Sequence, residues 1–294
     1  MPTIAGINGC MKAHPLKGFS MLAPLFPLIA EPKFDGGRVG WVVEGDSVEG
    51  YSVDQKGKFK FNVRTHGDFS KVAEQIRRPG RWLVDTEMFG GNWSKSSSLF
   101  ADRSADKTLL RFIVLDAVNL DEPTMTQIAR RETYGNAFTS ANFEPVEWRW
   151  VWTPDDVKAA ISEWTGLFEG VMLKQPNAVY GFGKRSWAWI KIKPFRDVTV
   201  RIVGFHEGEN RNTGRLGSLA CVRIDTGMAL DVGGGLKDEH RDRIWADRAW
   251  WLGKTLDVKI QDCPDDQFVG RSPNVVRVND SPDPRLSVKL RDAI

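Results

Sequence analysis

Short runs in which apolar residues alternate with polar ones, or are β-branched and apolar throughout, dominate the chain and predict strands. These runs cover residues 38–43, 82–89, 110–117, 170–174, 187–193 and 198–205. Helices are predicted only at 69–77, 124–134, 153–165 and 237–250, with Thr153 as the N-cap of the third. Because strands and helices do not alternate regularly, the pattern favours an α+β fold over a repeated βαβ arrangement.

Pro194 marks the predicted domain junction, because it follows one alternating run and precedes a new series of short strands. We therefore predict two domains, residues 1–195 and 196–294. The second contains five short strand patterns, one helix pattern and glycine-rich turns at 214–217 and 233–235. That content is typical of a small β-barrel of the OB type.

Composition is consistent with two packed domains and indicates no disorder, since 41% of the 294 residues are hydrophobic and 27% are charged. A net charge of +3 does not by itself indicate a polyanionic partner, although it allows a locally basic face. Cys10, Cys221 and Cys263 are widely separated and form no C-x-x-C pair. This spacing argues against a structural zinc site or a disulfide framework and fits a reducing compartment.

The segment Glu31-Pro32-Lys33-Phe34-Asp35-Gly36-Gly37-Arg38 is the most informative part of the chain. Its proline disfavours a helix, and its paired glycines allow a tight turn and a close approach to a ligand. Taken alone, the segment is equally consistent with a surface strand and turn. Lys33 becomes a nucleophile only if a pocket and other cations favour its neutral amine, so further lysines should converge on it.

Four later strand patterns carry charged or aromatic side chains that could join Lys33 in a pocket. In chain order they are Asp85-Thr86-Glu87, 112–116, 168–174 and 189–193. Lys191 and Lys193 share one face of their strand because side chains alternate. A single Lys-x-Lys pair is usually a solvated face. The occurrence of five such elements in one order is far more specific than any of them alone.

This order, from Lys-x-Asp-Gly-x-Arg through Asp-x-Glu and Glu-Gly-x-x-x-Lys to Lys-x-Lys, resembles the covalent nucleotidyltransferases. Within them the chain most resembles the small ATP-dependent DNA ligases of bacteriophages. The resemblance extends over nearly the whole chain, from 28–31 before the lysine to 212–217 in the second domain. It implies a nucleotidyltransferase (adenylation) domain with antiparallel sheets and flanking helices, followed by an OB-fold β-barrel.

The resemblance implies that Lys33 attacks the α-phosphorus of ATP to form a lysyl-AMP intermediate. Phe112 would stack on adenine, while Glu87 and Glu169 would hold Mg²⁺ or Mn²⁺. Lys191 and Lys193 would bind the α-phosphate. The implied nucleotide contacts are Glu31, Asp35, Arg38, Glu87, Phe112, Glu169, Arg185, Lys191, Lys193 and Arg277.

Two positions depart from the family pattern. Where these ligases carry a Ser-Arg pair, this chain has Ser52-Val53, so the role of that arginine is unassigned. The family's Arg-x-Asp-Lys motif near the C-terminus is represented by Arg277-Val278-Asn279-Asp280.

The sequence thus predicts an ATP-dependent DNA ligase, acting as a monomer, that seals 3′-OH/5′-phosphate nicks in duplex DNA. An RNA ligase or a capping guanylyltransferase is the related alternative, because both share the lysine chemistry. A non-catalytic nucleic-acid-binding module of the OB type is the alternative from another class.

The only long apolar run, residues 21–30, has ten residues interrupted by Pro24 and Pro27, which is too short to span a bilayer. Lys12 and Lys17 upstream give it a slight likeness to a secretory signal. Cleavage after Ala30 would leave Lys33 beside a free terminus. We therefore expect a location in the cytoplasm, or in a host's cytoplasm if the source is viral, with no membrane partner.

Overall fold

The computed structural model describes residues 6–91, 93–261 and 273–278. The chain divides into two compact units, the first being Met1–Trp164 with Phe168–Ile192 and the second Thr165–Leu167 with Lys193–Ile294. Mixed sheets are combined with irregularly spaced helices, so the predicted α+β class is confirmed.

Eleven strands in the described part of the first unit form two sheets. They are β1 (Lys12–Pro15), β2 (Leu28–Lys33), β3 (Gly37–Gly45), β4 (Ser47–Val53), β5 (Phe59–Asn62), β6 (Arg78–Phe89), β7 (Arg111–Asn119), β8 (Phe143–Pro145), β9 (Arg149–Val151), β10 (Gly170–Lys174) and β11 (Arg185–Ile192). One sheet has the order β5-β4-β3-β6-β7-β8 and the other β1-β11-β10-β2-β9.

The helices are short and lie between the strands. They are α1 (Ser70–Glu74), α2 (Trp93–Ala101), α3 (Gln127–Tyr134) and α4 (Pro154–Trp164) in the first unit, and α5 (Asp238–Ala246) and α6 (Arg248–Trp251) in the second. Short 3₁₀ helices cover Phe19–Leu25, Val63–His66, Lys107–Leu109 and Asn210–Asn212. Within the described residues, no helix combines the length and apolar character needed to cross a membrane.

In the five-stranded sheet of the first unit, successive side chains point to opposite faces, and this separates the apolar residues from the charged ones. Ala30, Val171 and Ile190 belong to one face and pack in the core that includes α4. Side chains at neighbouring positions point to the opposite face, which therefore carries Glu31 and Lys33. The apolar face thus packs in the core, and the opposite face presents the charged side chains of Glu31 and Lys33.

The second unit contains one five-stranded sheet, formed by β12 (Phe195–Glu207), β13 (Leu216–Arg223), β14 (Ala229–Val232), β15 (Thr255–Gln261) and β16 (Asn274–Val278). Its order is β14-β13-β12-β15-β16. A parallel bridge between Gly234 and Asn274 brings the two outer strands together beyond β14. Val200, Leu219 and Val258 lie in its core.

Several of the predicted elements agree with the structure. The strands predicted at 82–89 and 170–174 are confirmed as β6 and β10, and Thr153 caps α4 by accepting a bond from the Asp156 N–H at 3.2 Å. The helix predicted at 237–250 is divided into α5 and α6, because Asp247 has non-helical dihedral angles. Strands β1, β2, β4, β5, β8 and β9, together with α2, were not predicted.

Candidate active site

Lys33 is the last residue of β2, and its ammonium group contacts the carboxylate of Glu169. Its Nζ also lies 3.4 Å from the carbonyl oxygen of Phe34. Glu169 directly precedes β10, and its N–H donates to the Lys33 carbonyl at 2.8 Å. The pairing of β2 with β10 therefore places a carboxylate against the amine, although 136 residues separate them in sequence.

The turn after Lys33 is held by a second carboxylate. The Gly36 N–H donates to Glu87 Oε1 at 3.2 Å. A Cβ at Gly36 would lie 2.0 Å from the Met88 carbonyl oxygen, so this close approach of β6 requires glycine. Asp35 lies within the same turn, two residues after Lys33.

Glu31 is fully buried and is paired with two cations, Arg131 from α3 and Lys174 from β10. The Lys174 ammonium lies 2.8 Å from Glu31 and donates to the Leu115 carbonyl at 2.7 Å. Burial lowers the pKa of Lys174 to about 8, against the opposing attraction of Glu31. The predicted nucleotide contact Glu31 is thus the centre of a buried charge network.

Arg38 is held by a two-point contact with Asp85 of β6, with both nitrogen–oxygen distances at 2.5 Å. The Tyr180 hydroxyl donates to the same carboxylate and accepts a bond from the Met11 N–H. Burial opposes the charge on Arg38, but Asp85 outweighs burial and raises the pKa of Arg38. Arg38 is therefore fixed in the pocket wall before any ligand binds.

Several of the residues described above line one pocket in the first unit. Its lining combines charged residues with the apolar side chains of Leu115, Met172 and Trp189. The charged lining residues are Glu31, Lys33, Arg38, Glu87 and Lys174. A nucleophile, fixed cations and apolar walls thus meet in one place.

The predicted role of Phe112 is wrong. Its side chain is fully buried in the core, stacked on Phe143 and edge-on to Trp41, so it cannot stack on a base in the pocket. Asp85 pairs with Asp116 and Thr86 with Val114, which leaves Leu115 as the extra residue of a β-bulge. The bulge interrupts the alternation, and Leu115 is the β7 residue that lines the pocket.

The remaining predicted phosphate contacts are not brought together in the pocket wall. Arg185 lies at the start of β11 and donates to the carbonyl groups of Ala13 and Gln55. Lys191 pairs with Met172, which pairs with Glu31, so alternation places Lys191 on the face that carries Lys33. Lys193 belongs to the second unit, and for Arg277 the structure describes only its strand, β16.

Sequence reasoning missed several residues of the site. Lys174 ends the Glu-Gly-x-x-x-Lys motif, which could have marked it. No local pattern distinguishes Arg131, because the contact to Glu31 spans 100 residues. Arg130 and Asp116 likewise form a buried two-point ion pair at 2.9 and 2.8 Å.

Two carboxylates, Glu87 and Glu169, flank the segment 33–36 and fit the oxygen ligands that Mg²⁺ prefers. Among the described residues, no group of three or more His, Cys, Asp or Glu side chains could hold a metal by itself. Mg²⁺ is commonly bound by one or two carboxylates together with substrate phosphates, and these two side chains are of the chemical type that such a site uses.

The sequence of residues 10–193 matches the family model for the ATP-dependent DNA ligase domain. DNA ligase 2 of Methanosarcina mazei is 34% identical over 140 residues, which cover 40% of this chain but only 25% of that protein. The chain therefore matches about a quarter of the length of this curated relative.

Solved ligase structures match most of the chain. Pmar-Lig_PreS3 superposes with a TM-score of 0.68 at 25% identity, covering 92% of this chain and 68% of that one. A Lig E DNA ligase, described as binding DNA with a minimal scaffold, superposes with a TM-score of 0.66 at 20% identity. That match covers 92% of this chain and 99% of the other, and shows a shared fold. Since the family model spans more than half of the residues, the chain belongs to the ATP-dependent DNA ligase family.

Proposed function

We propose that this chain seals 3′-OH/5′-phosphate nicks in duplex DNA, using ATP to form a covalent lysyl-AMP intermediate. The observation that carries the proposal is the placement of Lys33 in a pocket with fixed cations and two carboxylates. A protein that only bound nucleic acid would have no use for a lysine held in this way. Membership of the ligase family supports the same reaction.

In the first step, Lys33 Nζ forms a bond to the α-phosphorus of ATP while the bond to the bridging oxygen breaks and pyrophosphate leaves. As an ammonium ion, Lys33 has no lone pair to offer, so its proton must leave first. The carboxylate of Glu169 already contacts Nζ and is placed to accept that proton.

The base would lie between the apolar side chains of Leu115 and Met172, with Glu31 as an acceptor at its edge. Arg131 and Lys174 fix the orientation of the Glu31 carboxylate. Asp35 and Arg38 are proposed at the ribose and phosphates, and Lys191, Lys193, Arg185 and Arg277 along the phosphates. A metal held by Glu87 and Glu169 would supply positive charge to the triphosphate.

AMP would then pass from Lys33 to the 5′-phosphate of the nick, and the neighbouring 3′-hydroxyl would attack that phosphate and release AMP. We propose that the second unit is an OB-fold barrel, beginning near residue 196, that contacts DNA mainly through phosphates. The Gly234–Asn274 bridge, which joins the outer strands, supports this proposal. We further propose that the protein is a cytoplasmic monomer.

The decisive experiment incubates the protein with α-labelled ATP or GTP, denatures it and looks for label on the chain. We expect label from ATP only and reversible loss of labelling with EDTA. Absence of covalent label would favour the binding module, and label from GTP would favour a capping-type enzyme. Sealing of matched nicked DNA and RNA duplexes then separates a DNA ligase from an RNA ligase.

A further inference from the structure

A second cavity, with a volume of about 410 Å³, adjoins the pocket lined by Lys33, which we call the Lys33 pocket. It is bounded by α3, by β7 and by residues 145–148, which lead into β9. Leu115 belongs to the lining of both. Small-molecule sites in proteins commonly have volumes of about 300–1,000 Å³, so this cavity, here called the α3 cavity, is large enough for a ligand.

Two aromatic side chains line the α3 cavity, Tyr134 from α3 and Trp148 from the segment before β9. Trp148 is half-buried, and the Arg131 guanidinium carbon lies 5.3 Å from the centre of its ring. Tyr134 packs edge-on against Trp82. Aromatic rings offer apolar surface to flat ligands. The lining therefore favours a planar ring.

Two nitrogen atoms of lining residues, Gln127 Nε2 and Arg131 Nε, are buried and have no hydrogen-bond partner within residues 6–91, 93–261 and 273–278. Gln127 Oε1 accepts a bond from the Trp189 indole N–H at 2.9 Å, so the remaining amide nitrogen is a donor. Arg131 Nε can only donate. Because buried donors in folded proteins nearly always have an acceptor, a ligand of this cavity should carry acceptor atoms.

The charges at and behind the lining balance each other. The cations are Arg130, Arg131 and Lys174, and the carboxylates are Asp116, Glu31 and Glu147. A charged ligand would add an unpaired charge, which is costly to bury, so a neutral ligand fits best. The Glu147 carboxylate is exposed at the cavity and can accept a bond from an amino group. These features together describe a neutral, planar nitrogen heterocycle that carries an amino group.

The α3 cavity and the Lys33 pocket are connected by direct contacts between their linings. Arg131 lines the cavity and donates to Glu31, which lines the pocket. Gln127 lines the cavity and accepts from Trp189, which lines the pocket. An acceptor bound to Arg131 Nε would hold the guanidinium in the orientation in which it already contacts Glu31. A preorganised Glu31 binds its own ligand at a lower cost in entropy.

We propose that the α3 cavity binds a neutral, amino-substituted nitrogen heterocycle, and that this occupant strengthens the binding of ATP in the Lys33 pocket. The coupling rests on the proposed function, because it assumes that the base of ATP lies beside Glu31. Coupling between two sites is reciprocal, so ATP must strengthen the binding of the heterocycle by the same factor. Coupled sites typically change each other's affinity by about fivefold or more.

The test uses 2-aminopurine, a neutral bicyclic base with ring-nitrogen acceptors and an amino group, and measures its binding to the full chain by equilibrium dialysis. Binding is measured alone and with saturating α,β-methylene-ATP and Mg²⁺. In this analogue, carbon replaces the oxygen through which pyrophosphate would leave, so Lys33 stays unmodified and its pocket stays filled.

The variants compared with the wild type are Trp148→Leu and Glu147→Leu. The matched controls are Trp152→Leu and Glu132→Leu, at exposed positions outside the linings of the cavity and the pocket. Leucine supplies neither an aromatic ring nor a hydrogen-bond acceptor, so each cavity variant removes one proposed contact.

We expect 2-aminopurine to bind the wild type, and to bind at least about fivefold more tightly when the ATP analogue is present. Trp148→Leu and Glu147→Leu should each weaken the binding of 2-aminopurine by about fivefold, as expected for the loss of one stacking or hydrogen-bonding contact. Both controls should bind it like the wild type.

Displacement of 2-aminopurine by the ATP analogue would overturn the proposal, because it would place the base in the Lys33 pocket. Undetectable binding, equal binding with and without the analogue, or unchanged binding in both cavity variants would overturn it as well. A wild type that neither binds the analogue nor labels itself with ATP would count against the proposed function, while the variants would still test the cavity. Melting temperatures verify that Trp148→Leu is folded, and Glu147→Leu keeps the test decisive if it is not.

Discussion

At the scale of single residues, Lys33 differs from the exposed lysines of the chain because its side chain is only 20% exposed and contacts a nearly buried carboxylate. An amine nucleophile must lose its proton before it attacks, and a carboxylate in contact with it can accept that proton. We expect Lys33→Ala to abolish covalent labelling by ATP and the sealing of an unadenylated nick. Lys33→Arg should not restore either activity, because a guanidinium remains protonated.

Labelled ATP and denaturing electrophoresis measure this directly. Lys158→Ala, at an exposed lysine that pairs with Asp155 on α4, is the control and should keep full labelling. Detection of AMP on any other residue of the wild type would contradict the assignment.

The protonation of Lys174 makes the charge network around Glu31 contribute to stability in a pH-dependent way. Its pKa is lowered from 10.5 to about 8, chiefly by burial. Between these two values the unfolded chain retains the proton that the folded protein has lost, so this group makes the free energy of unfolding rise with pH in that window. Below the lower value, Lys174 is charged in both states and its contribution is smallest.

We therefore expect the free energy of unfolding of the wild type, relative to Lys174→Met, to increase between about pH 7 and pH 10. Urea denaturation at several pH values measures the difference. The same comparison with Lys158→Met should show no trend. A difference between wild type and Lys174→Met that is constant with pH would show that Lys174 titrates normally.

At the scale of elements, α3 is fastened to β7 by the ion pair of Arg130 with Asp116. Their side chains are 1% and 2% exposed. Burial alone would raise the pKa of Asp116, but Arg130 outweighs it and holds the pKa below its ordinary value. The next residue of α3, Arg131, reaches Glu31, so the docking of this helix also orients the pocket.

We expect Arg130→Met to reduce the free energy of unfolding by about 3–5 kcal/mol, because Asp116 is left buried without its partner. Adding Asp116→Asn should recover part of the loss, since it removes the uncompensated charge. Urea denaturation measures both effects, and the KM for ATP should rise in the single variant. Arg81→Met, at an exposed ion pair, should cost at most about 1 kcal/mol.

A loss of less than about 1 kcal/mol in Arg130→Met would mean that the pair contributes no more than a surface ion pair. An unchanged KM for ATP despite the loss of stability would separate the docking of α3 from the pocket.

At the scale of the whole molecule, all residues of the described pocket lining belong to the first unit. We expect a fragment of residues 1–195 to fold by itself, which circular dichroism would measure. It should bind nicked DNA weakly, because the proposed barrel is missing, and its first step should fail if Arg277 is needed there. Sealing of a pre-adenylated nick should decline less.

Binding of the full chain should weaken steeply with salt, because phosphate contacts release counterions. Affinity for a nicked duplex, measured against salt for both proteins, provides the comparison. An unfolded fragment would disprove the proposed boundary, and a fragment that binds as tightly as the full chain would disprove the role of the barrel.

The order of motifs in the sequence indicated the family and marked Lys33 as the candidate nucleophile, and the irregular succession of strand and helix patterns predicted the α+β class. Motifs are local: Lys33, Asp35 and Gly36 lie within four consecutive residues. Long alternating runs such as 82–89 also predicted their strands correctly, since burial of one face is encoded in every second side chain. Short strands such as β1 and β9 carry too few residues to show a period.

The tertiary structure alone decided which side chains face the pocket. Phe112 satisfies a motif in sequence, yet it packs in the core with Leu110 and Val114, and Leu115, on the opposite face of β7, lines the pocket. The network of Glu31 with Arg131 and Lys174 joins residues more than 90 positions apart. Because sheet register and helix docking bring such residues together, no local pattern in the sequence could reveal their contacts.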